Sequence, residues 1–264
     1  MLMPSAPGTR HYETIYATLD HSNTSEGYIV VGCVCKCVIQ LENDNRTQKF
    51  TVLENTMKTL PLCLGDGDYI VRVLKHIEGT RYRAAASWRV PVKLRSPQAP
   101  YLYPNTYCEY TPESKCVQKA TELCKSLKTD VQRIGAIYEW ICTGVEYDKE
   151  LAASVKAGDT GWWLPEPDAV IAKGKGVCWD YSALFAAMCR SQGIACKIEV
   201  GGVGDNRLLH AWNNIWSRDG GTVAGIPISE KAYTRMDVTL LDSSNGAAAA
   251  FVRDGSNYAV QYCG

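Results

Sequence analysis

The chain has 264 residues, 46% of them hydrophobic and 21% charged, and its 28 basic and 28 acidic side chains balance to a formal net charge of zero. That composition belongs to a folded chain of one large or two ordinary domains, and it excludes a disordered tail protein. With no long run of one sign and no stretch near the roughly 18 apolar residues of a membrane helix, neither nucleic acid nor a membrane span is expected.

Residues 1–10 lack the charged and apolar regions of a signal peptide. The expected compartment is therefore the cytoplasm, with an exported or cell-surface location as the alternative if a leader has been removed. Twelve cysteines are many. Cys33, Cys35 and Cys37 alternate along one apparent strand face, and Cys116, Cys124, Cys189 and Cys196 fall at apolar positions of helical or strand patterns. Cysteines so placed behave as small buried hydrophobes, and a chain of this length stabilises itself by its core, so a mostly reduced protein is expected. No His pair follows the Cys-x-Cys-x-Cys run at ligand spacing, and neither a metal nor a cofactor is expected.

From Tyr12 to Leu94 the hydrophobic period is two. Ile29, Val31, Cys33, Cys35, Cys37, Ile39 and Leu41 form one apolar face, and 50–53, 69–77 and 82–94 read as further strands. Glu42-Asn43-Asp44-Asn45 and Gly65-Asp66-Gly67-Asp68 are turn chemistry between them. An all-β sandwich over residues 1–97 is predicted, and its scattered histidines (His11, His21, His76) form no titratable cluster. Ser96-Pro97-Gln98-Ala99-Pro100 then breaks the alternation, and a second domain over 98–264 begins.

Thr111-Pro112-Glu113 is the signature of a helix start, with Cys116, Ala120, Cys124 and Leu127 as its buried stripe. A second helix opens at Asp130 and turns Val131, Ile134, Ile137, Tyr138 and Ile141 inward. The segment from Gly144 to Lys175, with Tyr147, Trp162 and Trp163, reads as a long functional loop. Gly174-Lys175-Gly176-Val177-Cys178-Trp179-Asp180-Tyr181 then leads into a helical pattern closed by Gly193, which puts Cys178 at a helix start. Backbone N–H groups and the dipole stabilise an anion there, the setting of a thiol nucleophile.

Strands follow at 196–201, 208–216 and 233–238. Alternation puts His210, Trp212, Asn214 and Trp216 on one face, and Tyr233, Arg235 and Asp237 together on another strand. His210 and Asp237 are then placed side by side, although Asp242 competes for the carboxylate role. A thiolate attacks an acyl carbon, an imidazole holds and returns the proton, and a carboxylate fixes the imidazole's orientation.

Gly-x-Cys-Trp-Asp-Tyr-Ser from Gly176, His210-Ala211-Trp212-Asn213 and Asp237-Val238-Thr239, in that order, resemble the core of the transglutaminase-like superfamily, whose fold is papain-like. Ile137-Tyr138-x-Trp140-Ile141 with Val145-x-Tyr147-Asp148 is similar to the helix and turn before the core in bacterial members. The resemblance implies an α+β fold, N-terminal helices followed by an antiparallel sheet. It also implies a Cys-His-Asp triad of Cys178, His210 and Asp237, with a protein or peptide substrate. Amide hydrolysis, as in a cysteine protease, is the favoured outcome, and protein-glutamine transamidation is the alternative. A protein-binding module without catalysis is a further alternative.

One oxyanion donor is expected from the Cys178 backbone N–H. The resemblance implies a second from an upstream side chain, Trp163, Trp162 or Tyr147. Asp180 is read as structural, in the first turn of the nucleophile's helix. Asn214 stands where the family often has an acidic residue, a departure that touches no triad member.

Overall fold

The computed structural model describes residues 1–5, 8–159 and 163–264. The chain divides into two compact units, Met3–Thr106 and Tyr107–Gly264, with Met1–Leu2 joining the second. The first unit carries β1 (His11–Glu13), β2 (Ala17–Asp20), β3 (Tyr28–Cys33), β4 (Cys37–Asn43), β5 (Arg46–Val52), β6 (Thr56–Pro61), β7 (Gly67–Glu78) and β8 (Arg81–Val92). These strands form two antiparallel sheets, ordered β1-β2-β3-β6 and β5-β4-β7-β8. Asp44 and Asn45 both take positive φ (48° and 60°), as a two-residue hairpin turn between β4 and β5 requires. Asn and Asp tolerate that conformation, so the local sequence sets the register.

The cysteine-bearing alternation is not one strand. Cys33 ends β3 in the first sheet and Cys37 opens β4 in the second, while Val34 between them is 54% exposed. A change of sheet preserved the inward phase on both sides, and the period alone concealed it.

The second unit opens with α1 (Lys115–Cys124) and α2 (Asp130–Gly144), followed by β9 (Glu146–Tyr147), α3 (Lys149–Ala157), α4 (Pro167–Lys173) and β10 (Lys175–Gly176). Next come α5 (Cys178–Ser191), β11 (Cys196–Val203), β12 (Leu208–Trp216), β13 (Gly221–Val223), β14 (Ile226–Ile228), β15 (Tyr233–Met236), α6 (Val238–Ser243), α7 (Ala249–Asp254) and β16 (Tyr258–Cys263). This is a mixed α+β unit, helices first and an antiparallel sheet after them, ordered β15-β12-β11-β16.

Helix α2 starts where the sequence places it, at a capping box. The Thr129 side chain accepts the Gln132 N–H, and the Gln132 side chain accepts the Thr129 N–H. Helix α1 starts later than Thr111-Pro112-Glu113 indicates. Its first N–H groups, of Lys115 and Cys116, are taken by the Asp168 carboxylate at 2.9 Å each, from a helix some fifty residues away in sequence. Helix α5 is buried at every position from Asp180 to Ser191, so it is the central post of the unit.

One buried side chain ties that post to the sheet. Asn213 on β12 is fully buried, and its Nδ2 donates to Ser182 O on α5 (3.0 Å) and Lys197 O on β11 (3.1 Å). Asn213→Ala removes both bonds and is expected to cost about 1–3 kcal/mol. Thermal unfolding should show this as a Tm about 2–12 °C lower, at about 2–4 °C per kcal/mol for a unit of this size.

Candidate active site

Cys178 is the first residue of α5, and the turn that delivers it is made by two glycines. Gly174 ends α4 in the left-handed conformation (φ 63°), and β10 then pairs in parallel with β9, Gly176 opposite Tyr147. A Cβ on Gly176 would lie 2.6 Å from Asp180 Cβ, so the close approach demands glycine. Asp180 uses that space to accept the Val177 N–H at 2.9 Å. Burial raises its pKa, against the opposing pull of that hydrogen bond. Its work is to hold the turn into the helix.

His210 lies on β12, paired with Gly201 of β11. Its Nε2 meets Asp237 Oδ2 at 2.8 Å, and its ring lines the same cleft as Cys178. Burial alone would lower the His210 pKa. Hydrogen bonds to Asp237 and Cys178, with the charges of both, overturn that and raise it to about 10. An imidazolium held there stabilises a thiolate beside it. Because the value lies above histidine's ordinary pKa of about 6.5, this contribution to stability is complete below that pH and lost as pH rises through about 10.

Asp237 is fully buried and satisfies three donors. Oδ1 accepts the Leu240 N–H (3.1 Å), and Oδ2 accepts both His210 Nε2 and the Tyr258 hydroxyl (each 2.8 Å). The strand expected to run to Val238 stops at Met236. Asp237 is the N-cap of α6, and the helix starts one residue later because the carboxylate takes the free N–H of Leu240 in its first turn. His210 and Asp237 therefore meet at a strand-to-helix corner, not across two paired strands. The competing Asp242 faces away from this pair and meets the Tyr181 hydroxyl at 3.0 Å.

The three upstream aromatics fare differently. Tyr147 lies on β9 with its backbone paired to Gly176, two residues before Cys178. Its pKa is raised by burial first and then by the charge of Cys178. Trp163 packs against Trp179 (ring centroids 5.7 Å apart) and lines a cleft of about 230 Å³ with Cys178, His210, Val200 and Leu209. Trp162 lies outside the described residues. The expected long loop 144–175 contains α3, α4 and the β9–β10 pair; of its two described candidates, Trp163 lines the cleft from just before α4 and Tyr147 sits on β9.

Two residues at the site carry no motif. Tyr258, on the last strand, reaches Asp237 and packs edge-on against Trp212 (4.9 Å). Glu199 accepts Trp212 Nε1–H at 2.7 Å and holds the indole that stacks on the His210 ring. Only the tertiary pairing of β11 with β16 brings Tyr258 into place; the alternation of 258–263 marks a strand and nothing more. Among the described residues, no group of three or more His, Cys, Asp or Glu side chains has metal-site geometry, and no helix is long and apolar enough to cross a membrane.

Residues 117–225 match the model of the transglutaminase-like superfamily. Kyphoscoliosis peptidase from Homo sapiens is 29% identical over 118 residues, and the Mus musculus protein is 30% identical over the same length. Each match covers 41% of this chain and 17% of the relative, so the chain spans about a sixth of the length of these curated relatives. A solved candidate cysteine protease from Cytophaga hutchinsonii is similar over 98% of this chain and 80% of its own, at 19% identity and a TM-score of 0.43.

Proposed function

We propose that the protein is a cysteine-dependent acyl-transfer enzyme that opens peptide or isopeptide amides, with water as the favoured final acceptor. The observation that carries this reading is His210 held by Asp237 at 2.8 Å while it lines one cleft with Cys178. Cys178 Sγ attacks the amide carbonyl carbon, and the tetrahedral oxyanion forms at the start of α5. His210 gives its proton to the leaving amine as the C–N bond breaks, which leaves an acyl group on Cys178. His210 then takes a proton from water as the water oxygen attacks the thioester carbon, and the C–S bond breaks to release Cys178 as thiolate beside the imidazolium. An amine entering in place of water gives transamidation from the same intermediate. The similarity to proteins named as peptidases supports hydrolysis.

The apolar wall of the cleft, Trp163, Trp179, Val200 and Leu209, favours an apolar side chain next to the scissile bond. The first oxyanion donor is the Cys178 N–H, one of the helix-start groups without an intrahelical acceptor. Tyr147 is the second donor in this reading, because its backbone is paired with Gly176, two residues before Cys178. Tyr147→Phe is expected to lower kcat about 10²-fold with little change in KM, since the bond forms with the transition state. Steady-state kinetics on a cleaved peptide checks it.

Profiling of a peptide library with and without an added primary amine, against wild type and Cys178→Ala, tests the whole reading. Cleavage by wild type alone supports the hydrolase, and amine-dependent products support the transamidase. Retention of peptide without products in both proteins would replace catalysis with binding.

A further inference from the structure

Asp237 is surrounded by more hydrogen-bond donors than orientation of a histidine requires. One donor on Oδ2 suffices to fix His210, yet the same oxygen takes a second from Tyr258 at 2.8 Å, and the other oxygen is occupied by the Leu240 N–H. We propose that Tyr258 is a positioning residue that weakens the hold of Asp237 on the His210 imidazolium, with the Arg235 guanidinium strengthening Tyr258 as a donor.

A carboxylate oxygen that accepts two hydrogen bonds shares its charge between them, so each partner feels a weaker base. The Tyr258 ring is locked in place for this. It is 9% exposed, packs edge-on against Trp212, and is covered by Arg235, whose guanidinium carbon lies 4.5 Å from the ring centroid. Arg235 is itself fixed by a hydrogen bond from Nη1 to Val252 O (3.2 Å). A cation over a phenol ring draws electron density from it and makes its O–H a better donor. The charge of Arg235 opposes the rise in the Tyr258 pKa that burial and Asp237 cause.

The purpose lies in the second half of the proton's path. In the proposed mechanism His210 must return its proton to a leaving amine, and an imidazolium gripped by an undiluted buried carboxylate surrenders that proton slowly. Tyr258 moderates the grip without moving the carboxylate. The charged and titratable groups around His210 come from every neighbouring element: Cys178 from α5, Tyr147 from β9, Asp237 after β15, Arg235 from β15, Tyr258 from β16, and Glu199 from β11 through Trp212. Tyr258 shares Asp237 Oδ2 with His210, and Arg235 acts through the Tyr258 ring.

This inference rests on the catalytic reading above, and its test keeps the two apart. The imidazole of His210, one of four histidines in the chain, is titrated by NMR in wild type, Tyr258→Phe, Arg235→Gln and Cys178→Ala. Tyr258→Phe keeps the ring packing and removes only the hydroxyl. Its His210 titration should move upward by about half to one pH unit, and kcat on a cleaved peptide should fall about tenfold with KM unchanged. Arg235→Gln should move the titration the same way by a smaller amount, and it carries the test if Tyr258→Phe does not fold. A titration that stays in place or moves down in these variants overturns the proposal. Cys178→Ala reads the underlying pair: His210 should titrate lower without the thiolate. If it does not, the Cys-His reading fails, whatever Tyr258 does.

Discussion

Cys178→Ala is expected to abolish covalent adduct formation and to lower turnover by about 10⁵–10⁶-fold, the scale on which removing a nucleophile acts in other enzymes. The fold should be unaffected, because Cys178 is only partly buried and its backbone, not its side chain, begins α5. In wild type, brief treatment with iodoacetamide followed by peptide mass spectrometry should find Cys178 alkylated well ahead of Cys189 and Cys196. Those two thiols are fully buried, and burial pushes the Cys189 pKa well above its ordinary value. Equal labelling of the three would remove the activated thiol from the mechanism.

Asp237→Asn should be nearly as damaging, with kcat falling on the order of 10³–10⁴-fold. The reason is donor arithmetic. The Leu240 N–H points at one carboxylate oxygen, and His210 and Tyr258 point at the other. An amide has one oxygen and one NH₂, so whichever way the substituted side chain is turned, its NH₂ faces a donor. The imidazolium also loses its buried counter-charge, so the His210 titration should fall from about 10 towards the ordinary range. Kinetics and an imidazole NMR titration of the variant give the two readings. A variant with near-normal kcat would mean that orientation of His210 does not depend on Asp237.

The residues that converge at the site were legible because each sits in a local pattern with a physical meaning. A glycine approach followed by an apolar helix marks Cys178, and strand alternation marks His210 and Asp237, although the strand itself ends at Met236. Features created by distant partners were not legible. The start of α1 depends on Asp168 from α4, and the role of Tyr258 depends on β16 lying along β11. Helix α3 was hidden for another reason: none of its residues is buried, so it lacks the apolar stripe by which helices are recognised. The apparent cysteine strand failed in the opposite way, since a period of two survives a change of sheet between Cys33 and Cys37.

The parallel pairing of β9 with β10 pins Glu146 beside Lys175 and Tyr147 beside Gly176, at a strand spacing of about 4.8 Å. Everything from Asp148 to Gly174 is thus an excursion that leaves and returns at one clasp, two residues ahead of the nucleophile. Its return limb is anchored, since α4 buries Pro167 and Val170 and caps α1 through Asp168. Its outgoing limb is not, because α3 buries nothing. The side of the cleft that Val155 lines can therefore be rebuilt by exchanging α3, in length as well as in sequence, without altering the clasp ahead of Cys178. In this architecture, selectivity and reactivity are free to diverge separately.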